Sequence, residues 1–325
     1  MAVVIRATGV SIPEHRVPNA EIAALIDSSD EWIRGHTGIG ARHIAADGVL
    51  TSDMAAEAAR DALGRAGVKP EEVDLIVLAT ATPDYFGFPS TACIVQDKIG
   101  ARPAAAFDLN AGCTGFIYAL DAAASMLEAR KGRHALVIGA EALSRIVDWK
   151  DRSTCVLFGD GAGAALVSRI EEPGRGLIAS VLGAEGSGWK DLVLDQAERT
   201  KSFERPEPRT PVLRMNGKGV YDFAVRTITD LVARLLHSAV YSLEDFSWIV
   251  PHQANMRIVQ AAAKRLGAPE EKFYLNMEEY ANTSSASIPI ALREMEEKAL
   301  LKKGELVMLI GFGAGLTYGA QAIRW

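Results

Sequence analysis

Apolar positions along the chain recur with two different periods. Residues 52–66 (SDMAAEAARDALGRA) set Ala55, Ala58, Ala59, Ala62, Leu63 and Ala66 on one stripe, which is helical spacing. Gly67 and Pro70 end that helix. The run VDLIVLATAT follows, short, apolar and rich in β-branched residues, as a buried strand is. The same order returns later. Val220, Phe223, Ala224, Thr227, Ile228, Leu231 and Leu235 form a stripe over 220–239, an acidic turn (LEDF) follows, and then SWIVPH. A second echo links HALVIGAEALS near 134–144 with ELVMLIGFGAG near 305–315. The alternation predicts a layered α/β fold with helices on the sheet faces, and the echoes suggest an internal duplication. The segment EEPGRG (171–176) is the expected boundary, dividing the chain into halves 1–172 and 173–325. The charged stretch 195–211, with Pro206, Pro208 and Pro211, reads as a surface excursion longer than an ordinary connection.

Composition narrows the function classes. The 325 residues suffice for a large core, and 49% hydrophobic with 23% charged residues is ordinary for a soluble globular protein. A formal net charge of −6 argues against general nucleic-acid binding, which needs a basic stripe. Three cysteines, Cys93, Cys113 and Cys155, suggest no disulfide framework and point to a reducing compartment. The N-terminus has no basic n-region, h-region or cleavage site. The longest apolar run, 306–316, is short for a membrane span and interrupted by three glycines. The expectation is a cytoplasmic protein that binds no membrane.

Three segments carry candidate chemistry. Cys113 lies in DLNAGCTGFIYALDAAASML, where a strand-like run gives way to helical spacing at Phe116, Ile117, Leu120, Ala124 and Leu127. The thiol is thus expected near a helix N-terminus, where unpaired N–H groups and the macrodipole favour a thiolate. The bland alternative is a small buried hydrophobe, and Cys93 and Cys155, inside apolar runs, are read that way. His252 follows the strand run SWIV and precedes the helical pattern QANMRIVQAAAKRL. On such a loop an imidazole can carry a proton or donate to an oxyanion, or simply cap a helix. Asn282 sits in EEYANTSSASIPIAL, after the strand-like KFYLNM; helix capping is the commoner use of such an asparagine.

Taken together, AGCTGF, PHQANMRI and NTSSASIPIAL, in that order, resemble the active-site motifs of the β-ketoacyl-acyl-carrier-protein synthase III family. Further matches run the length of the chain: SDEWIRGHTGIGARHIA, FPSTACIVQDKIGA, DRSTCVLFGDGAGAALV, MNGKGVYDFAV and GFGAGLTYGA. The resemblance implies a thiolase-like fold, a duplicated five-layered α-β-α-β-α architecture, in a homodimer. It implies that Cys113 accepts an acyl group from acyl-CoA and that malonyl-acyl-carrier protein then condenses with it after losing CO₂. His252 and Asn282 would hydrogen-bond the malonyl thioester oxygen, while the backbone N–H groups of Cys113 and Ala314 would hold the other oxyanion. No metal or organic cofactor is implied; acyl-CoA is a substrate.

The resemblance also implies binding residues. Trp32 and Arg152 match positions that sandwich the CoA adenine, and Asn255 lies among the substrate-binding positions. Phe88 matches a phenylalanine that closes the partner's acyl pocket. Arg257, Lys264 and Arg265 form a basic helix face suited to an acidic carrier protein. Leu143 and Leu192 join Phe88 in setting pocket depth. Three positions depart from the family pattern: His36 stands for an arginine near the CoA phosphates, Ala281 for a glycine before Asn282, and Ala314 for a glycine in the final loop. The alanines are tolerable where the local φ is negative. GDGAGAAL and GFGAGLTYG lack the full GxGxxG fingerprint and are not dinucleotide sites. Two other functions use the same three side chains: acyl transfer or condensation in secondary metabolism, and a papain-like hydrolase, which the surroundings of Cys113 do not match.

Overall fold

The computed structural model of the protein describes residues 2–195 and 211–325. The 195–211 excursion therefore lies outside the described residues except at its ends. The strands, in chain order, are β1 (Ala2–Ser11), β2 (His15–Pro18), β3 (Ala41–Ile44), β4 (Leu75–Ala79), β5 (Ala105–Leu109), β6 (His134–Glu141), β7 (Gly161–Ile170), β8 (Gly176–Ala184), β9 (Leu192–Asp195), β10 (Val212–Met215), β11 (Phe246–Pro251), β12 (Leu306–Gly313) and β13 (Thr317–Arg324). The helices are α1 (Asn19–Ala23), α2 (Asp30–Thr37), α3 (Thr51–Ala66), α4 (Thr91–Ile99), α5 (Gly115–Arg130), α6 (Gly217–Ala239), α7 (Met256–Leu266), α8 (Met277–Tyr280) and α9 (Ser287–Glu297).

Two sheets repeat one topology. The first runs β1-β7-β6-β4-β5 and the second β8-β13-β12-β11. Pairing senses match step for step: antiparallel, antiparallel, then parallel. The parallel place of β5 is taken in the second sheet by a single bridge between Ile249 and Phe273. The connecting helices correspond as well, α3 with α6, α4 with α7 and α5 with α9. The two sequence echoes fall on equivalent elements, β6 with β12, and helix, acidic 3₁₀ turn and strand in each half.

Burial explains the layering. All eight residues of β6 and all eight of β12 are buried, as in strands covered on both faces. Helices α5 and α9 lie between the sheets, sharing one core with residues of both. Helices α3 and α4 cover the outer face of the first sheet, and α6 and α7 that of the second. The result is five layers, α-β-α-β-α, as the resemblance implies.

Two expectations change. The run KFYLNM pairs only at that one bridge. Its backbone groups go elsewhere: the buried Gln253 side chain donates to the Tyr274 carbonyl and accepts from the Asn276 N–H, at 3.1 and 3.0 Å. A side-chain amide thus does the work of a strand ladder. Cys93 is exposed, not core, with its Sγ 3.0 Å from Ser90 Oγ; Cys155 is buried, and all three thiols are free.

Close approach sets two features. Gly9 of β1 lets α3 lie directly on the sheet, since a Cβ there would fall 2.3 Å from the Ala58 carbonyl oxygen and 2.4 Å from the Ala62 nitrogen. Ala281, before Asn282, has φ 55° and ψ −154°, and Ser284 has φ 47°. The negative φ that would have made alanine easy at 281 is therefore absent; an L side chain is held there in a conformation that glycine adopts freely.

Gly9→Ala should lower the unfolding free energy by about 1–3 kcal/mol, the range for overpacking, read as a drop in denaturant midpoint. Ala281→Gly should do the reverse, raising the midpoint by an amount equivalent to about 1 kcal/mol as the strain is released. An unchanged or lower midpoint would show that Ala281 is not strained.

Candidate active site

The three segments named from the sequence meet where the central helices begin. Cys113 sits in a one-turn 3₁₀ helix (Gly112–Thr114) that leads into α5, between the end of β5 and the middle layer. His252 follows the last residue of β11, its N–H donating to the Ile310 carbonyl at 2.7 Å. Asn282 is placed by backbone bonds to the 157–159 segment: its N–H donates to Leu157 O at 2.9 Å and its carbonyl accepts from Gly159 N–H at 3.0 Å. All three side chains are buried, and all three line one cavity of about 240 Å³.

Cys113 also lines a second cavity, of about 390 Å³, with Phe86, Leu143, Leu192, Leu213 and Ser284. The thiol thus stands where two cavities meet. The first opens past Trp32, Arg152, Asn255 and Val220; the second has a mixed wall, with Thr80, Asp108 and Asn110 beside the apolar side chains, and Leu143 and Leu192 lie on it as expected. Phe88 lines neither. It is 90% exposed, next to Tyr85 and Phe86, which are also exposed.

Electrostatics set the resting protonation. Burial pushes the Cys113 thiol up to about 11, outweighing hydrogen bonds from Ser284 and from the N–H groups of Ala314 and Cys113 itself. The thiolate expected from the helix N-terminus is therefore not the resting form. Those two backbone N–H groups are the pair expected to form an oxyanion hole, and Ala314 is not among the residues with positive φ. Burial pushes His252 down to about 3, so its imidazole is neutral. Ser287 Oγ lies 2.7 Å from His252 Nδ1 and accepts the Gln253 N–H at 3.4 Å; in the tautomer where Ser287 donates to Nδ1, the ring proton sits on Nε2. Asn282 Oδ1 accepts the Ser284 N–H at 2.8 Å, which leaves the amide N–H₂ as its free end. The cavity thus contains two neutral donors and a protonated thiol.

The other expected binding residues divide. Arg152 lies 3.9 Å over the Trp32 ring, and His36 stacks on Trp32 with centroids 4.3 Å apart and planes 21° apart. At those distances the two cannot share a face, so they cover opposite faces. A flat base between Trp32 and Arg152 would need them to part to roughly 7 Å, twice a van der Waals contact. Asn255 is the N-cap of α7, accepting the Arg257 N–H at 2.8 Å and donating to the His36 carbonyl at 3.2 Å. Arg257 is exposed and donates to the Gly35 carbonyl, tying α7 to α2, while Lys264 and Arg265 are exposed on the last turn of α7. Sequence reasoning missed Ser284, Ser287 and Glu141, which surround the three side chains. The run TSSAS held a signal for the first two, but which hydroxyl faces which group depends on the turn before α9.

Among the described residues, no cluster of His, Cys, Asp and Glu suited to a metal ion occurs, and no helix is long and apolar enough to cross a membrane.

Comparison with known proteins follows this geometry. The family model for 3-oxoacyl-[acyl-carrier-protein] synthase III matches residues 107–186, and that for its C-terminal part matches 236–325. A β-ketoacyl-[acyl-carrier-protein] synthase III of Clostridium novyi is 49% identical over 323 residues, 99% of this chain and 98% of the relative. The crystal structure of 3-oxoacyl-[acyl-carrier-protein] synthase III from Aquifex aeolicus superposes with a TM-score of 0.93 at 44% identity, each chain covered fully. The priming β-ketosynthase of the R1128 polyketide pathway superposes at 0.90 with 36% identity, covering 99% of this chain and 96% of that one. A duplicated five-layered fold with cysteine, histidine and asparagine around one cavity, and full-length likeness to these proteins, have one explanation: the chain belongs to the β-ketoacyl-[acyl-carrier-protein] synthase III family.

Proposed function

We propose that this protein is an initiating condensing enzyme of fatty-acid synthesis, taking an acyl group from acyl-CoA onto Cys113 and joining it to malonyl-acyl-carrier protein. The observation that carries the reading is the placement of Cys113 at the meeting point of two cavities, with His252 and Asn282 in one and Phe86, Leu143, Leu192 and Leu213 among the walls of the other. Acyl-CoA enters through the cavity that holds His252 and Asn282, and its acyl chain lies in the second, against Leu143, Leu192 and Leu213. Cys113 attacks the thioester carbonyl, and the N–H groups of Cys113 and Ala314 hold the oxyanion. CoA leaves. The malonyl thioester then occupies the first cavity, its oxygen between His252 Nε2–H and the Asn282 amide. Loss of CO₂ puts negative charge on that oxygen, where the two donors stabilise it without having to give up a proton. The resulting carbanion attacks the acyl group and releases the β-ketoacyl product.

The remaining assignments belong to the same reading. Trp32 and Arg152 part to take the CoA adenine, Asn255 holds the mouth of the site in place, and Arg257, Lys264 and Arg265 dock the carrier protein. Phe88, exposed on one chain, closes the acyl cavity of a second copy in a homodimer. The enzyme is cytoplasmic, works without metal or organic cofactor, and divides into the halves 1–172 and 173–325, the nucleophile in the first, histidine and asparagine in the second. The likeness to a priming β-ketosynthase of polyketide synthesis supports a second reading, the same condensation on the carrier protein of a secondary pathway.

Intact mass after incubation with a panel of acyl-CoAs tests the reading. The wild type should gain one acyl group, and Cys113→Ala none. Malonyl-acyl-carrier protein should convert the adduct to a β-ketoacyl product. His252→Ala and Asn282→Ala should still acquire the acyl group but condense roughly a hundredfold or more slowly. An adduct that malonyl-acyl-carrier protein leaves untouched would transfer the function to another acceptor.

His252 also makes stability depend on pH. Its ordinary value is 6.5 and its folded value about 3. Above the ordinary value both folded and unfolded chains carry it neutral, and its contribution is fully present. Below it the unfolded chain binds a proton that the folded chain refuses, so stability falls until about pH 3. Denaturant midpoints at a series of pH values should fall more steeply for the wild type than for His252→Asn over that window.

A further inference from the structure

Strand β3 holds a guanidinium without a charged partner. Arg42 is fully buried. Among the described residues it donates to three neutral oxygens. Nη1 reaches Asn19 Oδ1 at 2.8 Å and the Val17 carbonyl at 3.4 Å, and Nη2 reaches the Val156 carbonyl at 2.8 Å. Asn19 in turn donates to Asp30 at 2.8 Å and to the Ile39 carbonyl at 2.7 Å, so this network meets a carboxylate only through an amide. Burial pushes the guanidinium down to about 10, which leaves it charged near neutral pH. A buried cation without a carboxylate beside it is costly, and an apolar side chain of similar size would avoid that cost. What the cation supplies is a fork, one prong on the corner between β2 and α1 and the other on the 156–160 segment.

That segment is what places Asn282. The Leu157 carbonyl accepts the Asn282 N–H at 2.9 Å, and the Gly159 N–H donates to the Asn282 carbonyl at 3.0 Å, forming an isolated parallel bridge between Phe158 and Asn282. Strand β3 holds the far end too, the Asp160 N–H donating to the His43 carbonyl at 2.8 Å. Space is tight between them. A Cβ on Gly159 would fall 3.0 Å from the Arg42 Cβ and 2.9 Å from the Tyr280 carbonyl oxygen, so β3, Gly159 and the chain entering Asn282 touch. Arg42 Nη2 grips the carbonyl one residue before the Leu157 carbonyl that takes the Asn282 N–H. Val156, Leu157, Phe158 and Asn282 all line the cavity that holds His252. The other two site residues are placed by different contacts. Cys113 lies against Gly313, while His252 is bonded to the Ile310 carbonyl and Ser287. We propose that Arg42 is a positioning residue for the condensation half-reaction: its guanidinium fixes the 156–160 segment against β3 and so sets where the Asn282 amide points. A donor that must meet a developing oxyanion tolerates little error, and a displacement of about 1 Å costs on the order of a hundredfold in rate. Acylation of Cys113, which does not use Asn282, is insensitive to Arg42.

The proposal rests on Asn282 as a donor to the malonyl thioester, and a double-mutant cycle separates the two. Wild type, Arg42→Lys, Asn282→Ala and the double variant are each acylated with acetyl-CoA, and intact mass times the adduct. Saturating malonyl-acyl-carrier protein is then added, and formation of the β-ketoacyl product is timed. Lysine retains the charge and most of the volume but has no planar fork to span two oxygens. Arg42→Lys should acylate within about twofold of wild type and condense roughly tenfold more slowly, a loss in kcat and not in KM. In the Asn282→Ala background the same substitution should change condensation by less than about twofold, because the group it positions is gone. Asn19→Ala, which takes away the acceptor on the other prong, should show the same pattern and serves if Arg42→Lys does not fold. An equal loss in both backgrounds, an acylation loss as large as the condensation loss, or unimpaired condensation in both Arg42→Lys and Asn19→Ala overturns the positioning role alone. Condensation unchanged by Asn282→Ala overturns the reading of Asn282 on which it rests.

Discussion

Everything at the site depends on how closely two backbones meet. At the end of β12, Gly313 lies against Cys113: a Cβ on it would fall 2.7 Å from the Cys113 Cβ and 3.1 Å from its sulfur. Gly112 meets Ala314 in the same way, with a Cβ position 2.9 Å from the Ala314 Cβ. Neither contact leaves room for a side chain, so the end of β12 presses directly onto the turn that holds Cys113. That contact brings the Ala314 N–H to the Cys113 sulfur and buries the thiol except where it borders the two cavities. It also joins the two sheets, since β12 and α5 belong to different halves and share one core.

Sealing has an electrostatic consequence. A helix N-terminus favours a thiolate, but removing the sulfur from water costs the charged form more, and the thiol keeps its proton. The same burial keeps His252 neutral. The resting site therefore contains no free charge among its three central side chains, only neutral groups at the place where the proposed condensation would develop charge. Donors arranged in this way strengthen as the oxyanion develops and need no reorganisation.

The mouth of the site is arranged by weaker contacts. Trp32 carries His36 on one face and Arg152 on the other, so the flat ring that CoA would stack upon is already occupied on both sides. The histidine in place of an arginine removes a permanent charge and adds a stacking partner. Its Nδ1 lies 2.7 Å from the Trp32 carbonyl, which fixes the ring one turn along α2. Asn255 ties the same region to α7 through the His36 carbonyl.

Much of this was legible in the residues. The helical stripe over 52–66 and the strand run after it announced a layered α/β fold, because amphipathic periods depend on local geometry alone. The echo between 134–144 and 305–315 fell on β6 and β12, and the motifs around Cys113, His252 and Asn282 named side chains that do share a cavity. What the residues could not show was set by distant neighbours. KFYLNM has strand character, yet Gln253 takes its backbone bonds; Cys93 lies in an apolar run, yet faces outward. Ala281 looked tolerable until the chain around it required a positive φ. The protonation of Cys113 depends on how much water the whole fold excludes. The sequence by itself determined the periods, the repeat and the chemical types at the site, because these are local. Only the tertiary structure decided burial, backbone strain and hydrogen-bond partners, because each arises where segments far apart in the chain come into contact.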